Sequence, residues 1–290
     1  MLSLVVLTFF LAGSALAHPG AGIAVTADGR VYFVDTRGSV YSIEPNGQLV
    51  RREGPAYHWF AYDAAGEFRG NALPSIPGGQ LRVAAPLILS SDVPIAIAGG
   101  KLYYGETSGA RARIAAVDRS GARSVRATLP PMLSAGRAAT WVNGLAAGPA
   151  GSLYYTEDAA VRKIDARGNV SVVAANVRVP NCAAIPEASP ELRPYLRGLA
   201  VAADSTVYVA ASGCGALIKI DPRGRATALL RTAAPWSPTA VAEAGGEVYV
   251  LEYLHTTGDD RSQWVPRVRK IARNGTVSTL TPSAGVPRAR

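Results

Sequence analysis

Gly144-Leu-Ala-Ala147, Pro149-Ala-Gly151, Leu153-Tyr-Tyr155, Val161-Arg-Lys-Ile164 and Asp165-Ala-Arg-Gly168 follow one another in a single stretch of this chain, and their order decides its fold. A short apolar run leads into a tight turn, and a strand carrying Tyr154 follows. A third strand then runs into an Asp-x-x-Gly turn, from which Val170-Ser-Val-Val173 leaves as a fourth. Gly, Asn and Asp supply the positive φ that tight hairpins need, so the stretch reads as four strands joined by successive hairpins.

The strand with the tyrosine returns along the chain as Gly29-Arg-Val-Tyr32, Gly100-Lys-Leu-Tyr103, Gly151-Ser-Leu-Tyr154, Ser205-Thr-Val-Tyr208 and Gly246-Glu-Val-Tyr249. No stretch shows a useful length of helical periodicity. A supersecondary unit repeating at this scale makes a solenoid or a propeller, and four strands per unit is a propeller blade. The interval from Tyr32 to Tyr103 has room for two units. Within it, Trp59-Phe-Ala-Tyr62-Asp-Ala-Ala-Gly66-Glu-Phe68 repeats strand, turn and strand without the tyrosine. The sequence therefore predicts an all-β, six-bladed β-propeller of about 45 residues per blade. Five blades with a long insertion is the alternative.

Residues 4–17 form an apolar run ending in Ala15-Leu-Ala17, a small-x-small site before His18. That pattern predicts a signal peptide over 1–17 and a single propeller domain over 18–290, placed in the periplasm or secreted. A buried N-terminal strand is the competing reading of the run, which is short for a bilayer span. No membrane insertion is expected after cleavage, and a monomer is expected. Cys182 and Cys214 are the two cysteines; in an exported chain they are expected to form a disulfide, with two unrelated thiols as the alternative. The net charge of +9 comes from arginines spread over the turns. A nucleic-acid footprint would be clustered, so nucleic acid is excluded as a partner.

Alternate connections in a blade lie on opposite faces. One set here is short, such as Ala27-Asp-Gly29 and Asp221-Pro-Arg-Gly224; the other is long, at 69–93, 127–142, 175–196, 231–238 and 252–266. Long loops on a rigid scaffold are where binding concentrates. The strands with tyrosine end toward that face in Asp35, Glu106, Glu157 and Glu252. His58, Asn143 and Arg197 stand just before the channel strands, and Trp59, Trp141, Tyr195, Trp236 and Trp264 lie in the loops. The acids read either as acceptors of turn N–H groups or as a carboxylate ring that holds a cation or activates water. His58 reads as a base or ligand, or as a hydrogen-bonded structural residue; His255 lies in a loop. Asn274-Gly-Thr276 matches a glycosylation sequon and is also the expected hairpin turn. The chain has no nucleophile elbow, P-loop or His-Glu-x-x-His.

The unit Gly-Leu-Ala, then Gly-x-Leu/Val-Tyr, then Lys-Ile-Asp-x-x-Gly resembles the NHL-repeat propellers and the senescence-marker/gluconolactonase-like six-bladed propellers, over nearly the whole mature chain. Those families host lactonases, lyases, esterases and pure binding modules. The resemblance implies that Asn143 is a metal ligand, for Ca²⁺ or another divalent cation. Two further ligands it implies are missing: Gly20-Ala-Gly22 stands where an acid is expected, and Arg197 stands in place of an aspartate. A guanidinium there repels a divalent ion. The leading expectation is an exported NHL-like propeller. It would bind a small molecule, glycan or peptide at the long-loop face through His58, Trp59, Glu106, Asn143, Glu157, Arg197 and Glu252. A gluconolactonase-like metal-dependent hydrolase, with Asn143 and Glu157 or Glu252 at its metal, is the second expectation. A non-catalytic interaction scaffold is the third. No residue is assigned a catalytic role.

Overall fold

Each Asp-x-x-Gly turn is built by its own aspartate. Asp165 Oδ1 accepts the backbone N–H groups of Arg167 and Asn169, both at 2.8 Å, and Gly168 N donates to Asp165 O at 3.0 Å. Asp118 takes the N–H groups of Ser120 and Ala122, and Asp221 those of Arg223 and Arg225. The glycine closing the turn does two jobs. Gly168 has φ +91°, and a Cβ there would lie 2.6 Å from Arg126 O; at Gly224, φ is +82° and the approach to Val173 O is 2.5 Å. The turns closed by Gly168 and Gly224 therefore lean on the outer strand of the preceding blade.

The computed structural model describes residues 19–53, 58–68, 73, 76, 79–91, 93–108, 111–131, 142–182, 193–254 and 263–281. The expected leader 1–17, His18, Trp141, His255 and parts of the long connections lie outside them. Six antiparallel sheets are formed, five of four strands in consecutive order and one of three. Their inner strands are Ile23–Val25, Trp59–Tyr62, Ile95–Ala98, Gly144–Ala147, Leu196–Val201 and Trp236–Ala244, one for each of blades 1 to 6. Each inner strand neighbours the next, and that of blade 6 neighbours that of blade 1, so the sheets close into a ring. The expected six-bladed propeller is what forms.

Apolar clusters fill the joints between blades. That of blades 6, 1 and 2 includes Phe33, Val34, Phe60, Leu251, Tyr253 and Trp264; that of blades 4 and 5 includes Val161, Leu199, Val209 and Ile218. The repeated tyrosines belong to these joints: Tyr32, Tyr103, Tyr154 and Tyr249 are buried and Tyr208 is half-buried. In blades 4 and 6 a lysine paired across the sheet lies over the ring, Lys163 at 5.5 Å from Tyr154 and Lys270 at 5.8 Å from Tyr249. The lysine stem covers apolar ring surface while its ammonium stays wet.

Blade 2 departs from the expected strand-turn-strand. Trp59–Tyr62 is a strand and Asp63–Gly66 a turn, but Phe68 is a buried residue outside any strand, its N–H held by Asp63 Oδ2 at 2.8 Å. The middle strand is Leu87–Ser90 and the outer strand, Leu81–Ala84, precedes it in the chain. The expected long loop over 69–93 thus supplies two strands. The physical reason is compositional: Leu81-Arg-Val-Ala84 and Leu87-Ile-Leu-Ser90 flank Ala85-Pro86, a hairpin that turns without Gly, Asn or Asp.

Candidate functional site

On the long-loop face the chain reaches over the channel mouth. Pro19–Gly22 crosses it as an extended strap. Arg197 Nη2 donates to Pro19 O at 2.6 Å, Thr239 Oγ1 to Gly20 O at 2.8 Å, Ala21 N to His58 O at 2.6 Å and Val34 N to Gly22 O at 2.9 Å. The strap thereby touches blades 5, 6, 2 and 1. Its glycines are dictated by contact: a Cβ on Gly20 would lie 2.5 Å from Val34 Cγ1, and one on Gly22 2.6 Å from the Phe60 ring. That explains why no acid stands at Gly20-Ala-Gly22. Arg197 is only 3% exposed, and burial pushes its guanidinium pKa down. Beside it, Thr156 Oγ1 donates to Arg197 O at 2.8 Å, Leu196 N donates to Asp158 O at 2.9 Å, and Asn143 Nδ2 donates to Asp158 Oδ1 at 3.0 Å. Asn143 and Arg197 are thus on adjacent inner strands, each held by its own partner.

The strand-end acids all meet arginines. Asp35 is bound by Arg37 at 2.8 Å, Glu157 lies 2.9 Å from Arg162 Nε, and Glu106 lies 3.7 Å from Arg123. Glu252, fully buried, accepts from Thr232 Oγ1 at 2.7 Å and from Arg267 at 2.5 Å, with Arg269 at 3.5 Å. Backbone acceptance also occurs at Asp35, from Arg37 N at 3.0 Å. A buried carboxylate paired with a guanidinium is already neutralised, so this donor set does not fit a divalent cation. Among the described residues no three His, Cys, Asp or Glu side chains gather in a way that could hold a metal.

Of the residues expected to meet a ligand, Trp59, Asn143, Glu157, Arg197 and Glu252 are buried, while His58 and Glu106 stay partly exposed. His58 packs edge-on against Trp59, with ring centroids 5.5 Å apart. Trp264 is wholly inside the blade 6–1 joint, and one face of Trp236 is covered by Arg267, whose Cζ lies 3.9 Å from the ring centroid. The sequence reading missed the strap, its anchor Thr239, and Asp158, which holds Asn143. The spacing of two glycines around Ala21 was the one available signal.

Cys182 and Cys214 form the expected disulfide, with Sγ–Sγ 1.95 Å and Cα–Cα 4.5 Å. Above it opens a shallow cleft of about 420 Å³, walled by Val177, Val179, Pro180 and Pro194 and edged by Arg178 and Arg193.

No family model matches the chain, and no curated protein is recognisably similar to it. Solved structures of like architecture exist. A virginiamycin B lyase from Staphylococcus aureus has a TM-score of 0.52 at 14% identity, covering 90% of this chain and 83% of that one. Regucalcin from Agrobacterium tumefaciens, described as a calcium-binding protein, has 0.52 at 16%, covering 83% and 84%. A protein described as a putative gluconolactonase has 0.53 at 16%, covering 90% of each. At these identities the likeness is one of fold: the resemblance to six-bladed gluconolactonase-like propellers holds for the architecture.

Proposed function

We propose that the protein is an exported propeller that binds a polar small molecule, glycan or peptide on its long-loop face, outside the central channel, without a catalytic metal. The observation that carries this reading is the strap: Pro19–Gly22 and the Arg197 guanidinium occupy the mouth that an in-channel ligand would enter. Among the described residues, a surface open to a ligand is the cleft over the disulfide, where proline and valine walls meet Arg178 and Arg193. Apolar walls with a few charged groups at the rim suit a ligand with an apolar body and an anionic end. The metal-dependent lactonase reading keeps the support of the fold likeness, but it requires Glu157 and Glu252 to leave their arginines. Titration calorimetry of Ca²⁺ into chelator-treated protein decides between the two. No binding up to millimolar ion is expected. Stoichiometric binding that Asn143→Ala abolishes would overturn the proposal in favour of the lactonase.

A further inference from the structure

The face opposite the mouth carries hydrogen-bond donors whose counter-charges are already used. In blades 3 to 5 the turn aspartates point inward. Asp118, Asp165 and Asp221 each accept two backbone N–H groups of their own turn, and hydrogen bonds led by the Ser120 hydroxyl, the Asn169 amide and Arg225 N respectively hold the three carboxyls below their ordinary range. The arginines of the same turns point outward. Arg119, Arg167 and Arg223 are exposed, and the side chains of Arg167 and Arg223 meet no acceptor or carboxylate among the described residues. Arg119 is held loosely by Glu67 at 3.5 Å, and Arg225 by its own turn's Asp221 at 3.4 Å with four-fifths of its side chain exposed. The turns of blades 4 and 5 lean on the blade before them and Arg119 of blade 3 reaches Glu67 of blade 2, so these arginines stand on consecutive blades around the rim.

Blade 4 adds a depression of about 270 Å³ on this face, lined by Pro149, Ala150, Ser152, Lys163, Asp165 and Arg167. Its two walls are the turn at 149–152 and the turn at 165–168. Arg126 ties them together, one Nη2 donating to Gly151 O at 3.0 Å and to Asp165 O at 2.7 Å. Ala150 on its lip sits in the left-handed region, φ 53° and ψ 36°, a strained state for a residue with a Cβ. A rigid depression with an ammonium and a guanidinium at its edge loses little conformational entropy when an anionic group enters.

We propose that this short-turn face is a docking surface for an acidic polysaccharide, one carboxylate or sulfate of which seats between Lys163 and Arg167 while its neighbours meet Arg119, Arg223 and Arg225. The turns favour a sugar polymer over other polyanions. In blades 3 to 5, where these arginines stand, they consist of Gly, Ala, Pro, Asp, Ser and Arg. They offer no large apolar side chain to enter a bilayer and no aromatic platform to stack a nucleic-acid base.

The test is binding of polygalacturonate, with dextran as the neutral polymer, at about 50 mM salt and again at higher salt. Polygalacturonate is expected to bind, dextran not to bind, and affinity to fall as salt rises. Arg167→Glu with Arg223→Glu is expected to cut affinity at least tenfold while the unfolding temperature stays put, and Lys163→Gln to weaken binding several-fold. Arg178→Glu with Arg193→Glu, on the opposite face, is expected to leave polymer binding unchanged. Absence of binding at low salt, equal binding of dextran, or loss of binding in the opposite-face variant alone would overturn the proposal. So would tighter binding of a single-stranded oligonucleotide or of phosphatidylglycerol vesicles.

Discussion

The two ends of the ring use the same residue types to opposite effect. At the channel mouth, acids and arginines meet each other: Glu157 with Arg162, both buried, and the buried Glu252 with the partly exposed Arg267 and Arg269. In the short turns of blades 4 and 5, Asp165 and Asp221 are claimed by backbone N–H groups, and Arg167 and Arg223 beside them are left in solvent. What separates the two is the carboxylate's partner. A carboxylate claimed by a turn's N–H groups stabilises local chain geometry and frees the neighbouring cation. A carboxylate claimed by a guanidinium on the next strand cross-links the sheet and leaves no charge for a ligand. Composition alone is the same in both places.

The largest effect should come from breaking a pair at the mouth. Arg162→Met leaves the buried Glu157 without its guanidinium and is expected to cost about 3–5 kcal/mol. Adding Glu157→Gln should restore much of that loss, as measured by denaturant unfolding of both variants. If the single variant is no less stable than the double, the pair does not hold the sheet and the contrast fails. A smaller effect belongs to the turns. Gly168→Ala adds a Cβ against Arg126 O at φ +91°, whereas Gly47→Ala adds one at φ +84° with nothing within 4 Å. The first is expected to cost about 2 kcal/mol and the second about 1 kcal/mol. Equal losses would show that the leaning of turn on blade contributes nothing beyond local strain.

The smallest effect is in acid. Hydrogen bonds lower the pKa of Asp118, Asp165 and Asp221, chiefly from the Ser120 hydroxyl, the Asn169 amide and Arg225 N respectively; the Ser42 hydroxyl and Arg30 bring Glu44 to about 2. Groups depressed in the folded state contribute stability that is fully present above the unfolded values of 3.8 and 4.5 and is lost as pH falls through the folded values. The unfolding temperature should therefore hold level down to about pH 4.5 and decline toward pH 2. Asp165→Asn keeps a side chain able to build the turn and should show a slightly shallower decline. An unchanged decline would mean that Asp165 does not contribute to it.

Five blades were legible because their signals are local. Tyr154, Lys163, Asp165 and Gly168 each satisfy a demand of their own hairpin or of the joint beside it, and the demand recurs in each unit. Blade 2 hid its strands because Ala85-Pro86 turns without a Gly or Asn and because the outer strand precedes the middle one. The acid–arginine pairs were partly readable: Glu252 stands across the sheet from its partner Arg267, whereas Glu106 stands across from Arg113 but pairs with Arg123 on the outer strand. The strap was not readable, since its partners Arg197 and Thr239 lie 178 and 219 residues away from Pro19 and Gly20.

The contiguity of the sheets has a consequence for how such a molecule changes over generations. Among the described residues every sheet is cut from one uninterrupted stretch, and none borrows a strand from another. Duplicating or excising one blade-length of gene therefore adds or removes one whole sheet, with no split strand to mend. Blade number in this chain is open to revision in single steps, and the strap across four blades is the element that such a step would have to re-fit.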